Sequence, residues 1–129
     1  MRKGLISVVD DDESIRRTTT FLIQSFGFRA AAFESAEKFL KSGKLHDTSC
    51  LIVDVQMPGM NGLRLQSEVA AAGYDIPIIF ITAYDNKVSR QQAMQAGAVP
   101  FLGKPFSDEE LLQTVRSALD HDNGGTSSL

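Results

Sequence analysis

Leu51-Ile52-Val53-Asp54 is a short, continuously apolar, partly β-branched run that stops at a carboxylate. A run of this kind suits a central strand covered on both faces. Other apolar runs end in the same way. Leu5-Ile6-Ser7-Val8-Val9 meets Asp10-Asp11-Asp12, Ile78-Ile79-Phe80-Ile81 meets Thr82, and Val99-Pro100-Phe101-Leu102-Gly103 meets Lys104. Segments with helical spacing lie between them, the alternation expected of a parallel α/β sheet. The strand C-termini of such a sheet share one edge, and ligands bind there near the point where strand order reverses. The runs therefore bring Asp10, Asp11, Asp54, the Thr82 hydroxyl and the Lys104 ammonium toward one pocket.

Working outward, Ile15, Thr19, Leu22, Ile23 and Phe26 fall on one face of a first helix, with Gly27 as its C-terminal stop. Asp12 and Glu13 suit the start of that helix. Residues 28–33 read as a second strand with a weak Arg-Ala-Ala-Ala interior. Ser35 caps a short second helix that carries Phe39 and Leu40, with Glu37 near its start. A third helix is expected over 61–72, ended by Gly73, with Gly59 and Gly62 relaxing the loop between Asp54 and the helix. The fourth strand covers 76–81, with Pro77 where a lost N–H costs least. A weakly amphipathic fourth helix covers 86–96. Pro100 makes the fifth strand an edge. Ser107 caps the last helix, whose core face is Leu111, Leu112, Val115 and Leu119. Residues 1–121 form one domain, and 122–129, with Gly124-Gly125-Thr126-Ser127-Ser128, read as a flexible tail or the start of a linker.

A chain of 129 residues buries roughly two-thirds of its unfolded surface, enough for a core without staples. The formal net charge of −3 speaks against a nucleic-acid surface, which needs a basic patch. Cys50 is the single cysteine, so no intramolecular disulfide forms, and its apolar setting reads as a buried thiol in a reducing cytosol. The stretch after Met1-Arg2-Lys3 is too short and too acidic for a signal peptide. No run approaches the ~18 apolar residues of a membrane span. A soluble cytoplasmic protein is expected. His46 and His121 sit in polar surroundings and are assigned no role.

Each pocket residue has an ordinary reading by itself. The aspartate triplet is a helix cap with first-turn acids, Asp54 a turn residue, Thr82 a strand-end hydroxyl and Lys104 a solvated lysine. Their joint position at strand ends is what argues for chemistry. Carboxylates held close raise one another's pKa, so their full ionisation needs counter-charge. Lys104 offsets one of the three, and a single divalent cation balances the rest. Oxygen donors without His or Cys select a hard ion, Mg²⁺ with Mn²⁺ as its substitute, over Zn²⁺.

Val9-Asp10-Asp11, Asp54-Val55-Gln56-Met57-Pro58-Gly59-Met60-Asn61-Gly62, Thr82-Ala83 and Lys104-Pro105-Phe106 together resemble the motif set of bacterial response-regulator receiver domains, in that order and at those spacings. The resemblance spans roughly residues 4–121. It implies a flavodoxin-like, five-stranded parallel sheet of order 2-1-3-4-5 with helices on both faces. It also implies that Asp54 accepts a phosphoryl group from a histidine kinase or phosphotransfer protein. Asp10 and Asp11 would hold Mg²⁺ with Asp54 and the backbone carbonyl of Gln56. Thr82 and Lys104 would bind the phosphoryl oxygens, Phe101 would be the switch aromatic, and Lys104–Pro105 a cis peptide. The output face would combine the 86–96 helix, the fifth strand and the last helix.

Ser35-Ala36-Glu37-Lys38-Phe39-Leu40 and Ala96-Gly97-Ala98-Val99 are most similar to FixJ-like receivers. Pro100 departs from the family, standing where many members carry an acid used in dimer salt bridges. A monomer, or a phosphorylation-linked dimer without those bridges, is expected. Gln56 and Tyr84, each two residues beyond Asp54 and Thr82, flank the site and suit a role in phosphoryl lifetime. Three readings compete. A haloacid dehalogenase-type phosphatase would use Asp10 as nucleophile, but it requires an acidic pair where Thr82-Ala83-Tyr84 stands. A flavodoxin-like FMN binder needs a phosphate-cradling loop where three aspartates stand. A degenerate receiver acting only as a binding module would not need the complete residue set.

Overall fold

The computed structural model of the chain describes residues 4–55, 57, 59–83, 101–104 and 106–127, with 82, 83, 101, 104 and 120–127 placed by their backbone. The expectations for Gln56, Tyr84, the 86–96 helix, Pro100 and the Lys104–Pro105 peptide lie outside the described residues. Strands β1 (Leu5–Val9), β2 (Arg29–Phe33), β3 (Thr48–Asp54), β4 (Ile78–Ala83) and β5 (Phe101–Lys104) form one parallel sheet of order β2-β1-β3-β4-β5. Helices α1 (Glu13–Ser25), α2 (Ala36–Lys41), α3 (Gly62–Ala71) and α4 (Asp108–Ser127) accompany it, with a 3₁₀ turn at Leu45–Asp47. The expected strand order and edge position of β5 are both observed.

Strand alternation divides the interior into two layers. Val9, Leu51, Val53, Ile78 and Phe80 face Ala36 and Phe39 of α2 and Leu65 and Val69 of α3. Ile6, Val8, Cys50, Ile52, Ile79, Ile81 and Leu102 face Ile23 of α1 and Leu111, Val115 and Ala118 of α4. β1 and β3 supply both layers, which is why residues 50–53 are apolar without interruption and Leu5–Val9 is interrupted only by the buried Ser7. Its hydroxyl donates to Thr48 Oγ1 at 2.8 Å, and Thr48 donates onward to the Lys44 carbonyl at 2.7 Å. Both polar groups are thereby satisfied in an apolar setting.

The helix starts follow from their caps. Asp12, Ser35 and Asn61 side chains accept from the N–H groups of Ile15, Lys38 and Arg64. Ser107 and Glu110 form a reciprocal capping box at α4, with N–H to side-chain distances of 2.9 and 3.1 Å. Gly27 and Gly73 follow α1 and α3 at positive φ, as expected of C-terminal stops.

The structure corrects the sequence reading of two element ends. Thr82 and Ala83 are the last residues of β4 rather than residues beyond it, because Gly103 and Lys104 of β5 continue the ladder opposite them. The α4 backbone stays helical to Ser127, through glycines that the composition assigned to a flexible tail. Once a helix is nucleated and docked, each further residue closes one more i→i−4 bond, and this offsets the roughly 1 kcal/mol that each glycine costs. On the core face of α4, Ala118 is buried and Leu112 only half-buried.

Leu111 is fully buried at the centre of the α1/α4 layer. Leu111→Ala is expected to lower stability by about 2–5 kcal/mol in urea unfolding, with an unchanged m-value. A loss below about 1 kcal/mol would show that α4 is not packed there.

Candidate functional site

Register brings the site together. Val9 of β1 pairs with Val53 of β3, so Asp10 and Asp54, the next residues, leave neighbouring strands at one level. Asp54 lies opposite Ile81, and Thr82 follows one residue along. Thr82 is opposite Gly103, and Ala83 opposite Lys104. Phe101 opens β5 opposite Phe80. The backbone thus places Thr82 and Lys104 along the same sheet edge as the two aspartates.

Carboxylate oxygens of Asp10, Asp11 and Asp54 lie within 4.8 Å of one another. Asp10 and Asp54 are buried, whereas Asp11 is exposed. Asp10 is held on several sides. Its Oδ1 accepts the Asp12 N–H at 2.9 Å, its N–H donates to the Phe33 carbonyl at 3.1 Å, and its carbonyl accepts Arg16 Nη1 at 2.8 Å. The first of these is an Asx-type turn, which swings the chain from β1 into the cap of α1. At an effective dielectric of about 20, two unit charges no more than 4.8 Å apart repel by about 3 kcal/mol or more. The donor set of the three carboxylates is all oxygen and open on the Asp11 side, which fits a hard divalent cation.

The loop after Asp54 is shaped by two glycines with different jobs. Gly62 was expected to relax the loop and start the third helix; it does start α3, and what requires a glycine there is close approach. A Cβ there would stand 2.6 Å from the Asp54 carbonyl oxygen. The Gly62 N–H bonds the Val55 carbonyl at 3.0 Å, closing the loop against the strand end. Gly59 has φ 74°, a left-handed conformation that side chains disfavour. Val55 and Met57 are buried in the α2/α3 layer.

Sequence reasoning missed two neighbours. Arg16 is one turn beyond the cap residue Asp12, and only the fold shows that it reaches back to Asp10. Glu37 is in α2, yet its carboxylate accepts the N–H of Met60 at 3.1 Å, across 23 residues of sequence. Its own backbone N–H and that of Met60 hold the Glu37 carboxyl below the usual value for glutamate. No local pattern in the sequence signals a pairing of this span.

With this geometry in place, comparison with known proteins is decisive. Residues 6–116 match the response regulator receiver domain model. The chain belongs to this family. It is 46% identical over 120 residues to nodulation protein W of Bradyrhizobium diazoefficiens, covering 93% of this chain and 53% of that protein. It is 37% identical over 114 residues to the transcriptional regulatory protein FixJ of Azorhizobium caulinodans, covering 88% of this chain and 54% of that protein. The chain therefore spans about half the length of these curated relatives. Among solved structures, FixJ-N superimposes with a TM-score of 0.85 at 32% identity, covering 94% of this chain and 97% of that one. The response regulator StyR gives 0.85 at 37% identity, covering 98% of this chain and 64% of that one. Receiver domains are phosphorylation-dependent signalling modules of two-component systems rather than classical enzymes. No helix among the described residues is long and apolar enough to cross a membrane.

Asp10→Asn keeps the oxygen that accepts the Asp12 N–H and removes one crowded charge. In EDTA the variant is expected to be more stable than the wild type by about 1 kcal/mol or more in urea unfolding. Added Mg²⁺ should stabilise the wild type more than the variant. A destabilised variant in EDTA would mean that repulsion is not what the site carries.

Proposed function

We propose that this receiver domain takes a phosphoryl group on Asp54 from a phosphohistidine of a histidine kinase or phosphotransfer protein. The observation that carries the proposal is the convergence of Asp10, Asp11 and Asp54 within 4.8 Å at the end of the central strand. Asp54 ends β3 with its backbone pinned by Gly62 and by the neighbouring ladder, so its carboxylate is presented from a rigid element. In the transfer, an Asp54 oxygen forms the new bond to phosphorus as the bond to the donor histidine nitrogen breaks. Nearly all of the assistance such a transfer needs is positioning and charge neutralisation.

Asp10, Asp11, Asp54 and the Gln56 carbonyl would hold Mg²⁺, or Mn²⁺ in its place. The bound ion screens the repulsion between the carboxylate and the incoming phosphate. Lys104 supplies the ammonium for a phosphoryl oxygen, and Thr82 the hydroxyl for another. The product is an acyl phosphate, labile in water, so the chain catalyses only the gain and loss of its own phosphoryl group. Movement of Thr82 toward the new anion vacates space for Phe101, and the change is read on the face of the 86–96 segment, β5 and α4. The domain works in the cytoplasm. It acts on a downstream effector without contacting nucleic acid or membrane itself. The protein is a monomer, or a phosphorylation-linked dimer that does not use the charged bridges displaced by Pro100.

The test is incubation with Mg²⁺ and acetyl phosphate, followed by intact mass. Wild type and Asp10→Asn at high Mg²⁺ should gain one phosphoryl mass, and Asp54→Asn none. Label retained in Asp54→Asn but lost in Asp10→Asn would falsify the assignment and favour the phosphatase-type nucleophile. Tyr84 shields the acyl phosphate from water, so Tyr84→Ala should shorten the phosphorylated lifetime several-fold, measured by decay of the labelled mass after donor removal. An unchanged lifetime refutes that role.

A further inference from the structure

We infer that Glu37 is a positioning residue for the loop that follows Asp54, acting by holding the Met60 amide. The inference rests on the phosphoacceptor reading above and extends it to a side chain in α2.

The loop runs from Val55 to Asn61; its start is tied to β4 and its two ends are tied to each other. The Val55 N–H donates to the Ile81 carbonyl at 2.9 Å, and the Gly62 N–H donates to the Val55 carbonyl at 3.0 Å. Between these ties lie Gly59 and Met60. There the Glu37 carboxylate accepts the Met60 N–H at 3.1 Å. The same carboxylate stands beside Gly59, where a Cβ would lie 2.8 Å from Oε2. Two adjacent residues of the loop are therefore shaped around one carboxylate from another element.

A tether is useful only if its other end is fixed, and Glu37 is well fixed. It sits in the first turn of α2, started by the Ser35 cap. Ala36 and Phe39, on either side of it in sequence, are fully buried. The Phe39 ring meets Phe33 of β2 edge to face, with centroids 5.2 Å apart. The helix is thus anchored in the α2/α3 layer, and Glu37 carries that fixed position over to the loop. Its depressed pKa agrees with a carboxylate that stays ionised while accepting backbone N–H groups.

The loop contains Gln56, whose carbonyl is proposed to complete the cation site. Small displacements of such groups are costly, because partners that orient a metal ligand commonly change metal affinity by 10- to 100-fold when removed. Glu37 does not touch the reacting atoms. It sets where the loop stands before the donor arrives.

The test uses the full chain and three substitutions. Glu37→Gln keeps an oxygen that can accept from Met60. Glu37→Asp keeps the charge and the helix-end electrostatics but shortens the reach. Glu37→Ala removes both. Two readouts are taken on each: hydrogen exchange of the Met60 amide without metal, and Mg²⁺ affinity by NMR titration. Faster Met60 exchange and about tenfold weaker Mg²⁺ binding are expected in Glu37→Ala and Glu37→Asp, with Glu37→Gln close to wild type. If Glu37→Ala does not fold, the Asp and Gln pair decides the matter. Wild-type Mg²⁺ affinity in a folded Glu37→Asp overturns the inference, as does a Glu37→Gln as impaired as Glu37→Asp. Failure of the wild type to bind Mg²⁺ or take label overturns the phosphoacceptor reading instead. Slow exchange at Met60 would still report the tether in that case.

Discussion

Two buried carboxylates side by side govern this structure. Asp10 and Asp54 leave β1 and β3 at the same level because Val9 and Val53 are in register, and nothing about their burial favours carrying two negative charges. The fold accepts the cost because everything around it is over-determined. β1 and β3 put apolar residues into both layers, the neighbouring helices α1, α2 and α3 are capped, and the Asp10 backbone is bonded through both its N–H and its carbonyl. A site that stores repulsion needs such a frame, and the frame in turn makes the site a strong acceptor for positive charge.

Chemistry and scaffold therefore share residues. The Asx turn that starts at Asp10 also delivers the chain to the Asp12 cap of α1. Gly62 begins α3 and, by having no side chain, lets that helix start against the Asp54 carbonyl. Arg16 belongs to α1 by spacing and to the pocket by contact. Much of what looks like ordinary helix punctuation is, in three dimensions, the wall of the acidic pocket.

Local physics made a large part of this legible from the residues. Runs such as Leu51-Ile52-Val53, and caps such as Ser35 and Ser107, act over a few residues, so the strands, helix starts and sheet edge could be read directly. The acidic cluster was legible one step further, because parallel order places strand ends together. What escaped depended on contacts of long span or on competition between weak terms. The Glu37–Met60 bond joins two segments that carry no mark of each other. The length of α4 was set by propagation against glycine entropy, and composition alone weighed only the second. The end of β4 was decided by its partner β5 rather than by its own sequence.

The division of the interior into two layers gives the pocket different surroundings on its two flanks. The chain leaving Asp54 runs into the α2/α3 layer, where Val55 and Met57 are buried and Glu37 holds the loop. β5, across the sheet, has four residues and a strand neighbour on one flank only. The central strand thus joins two different surroundings, a loop held from α2 at its end and, two strands away, the last strand of the sheet.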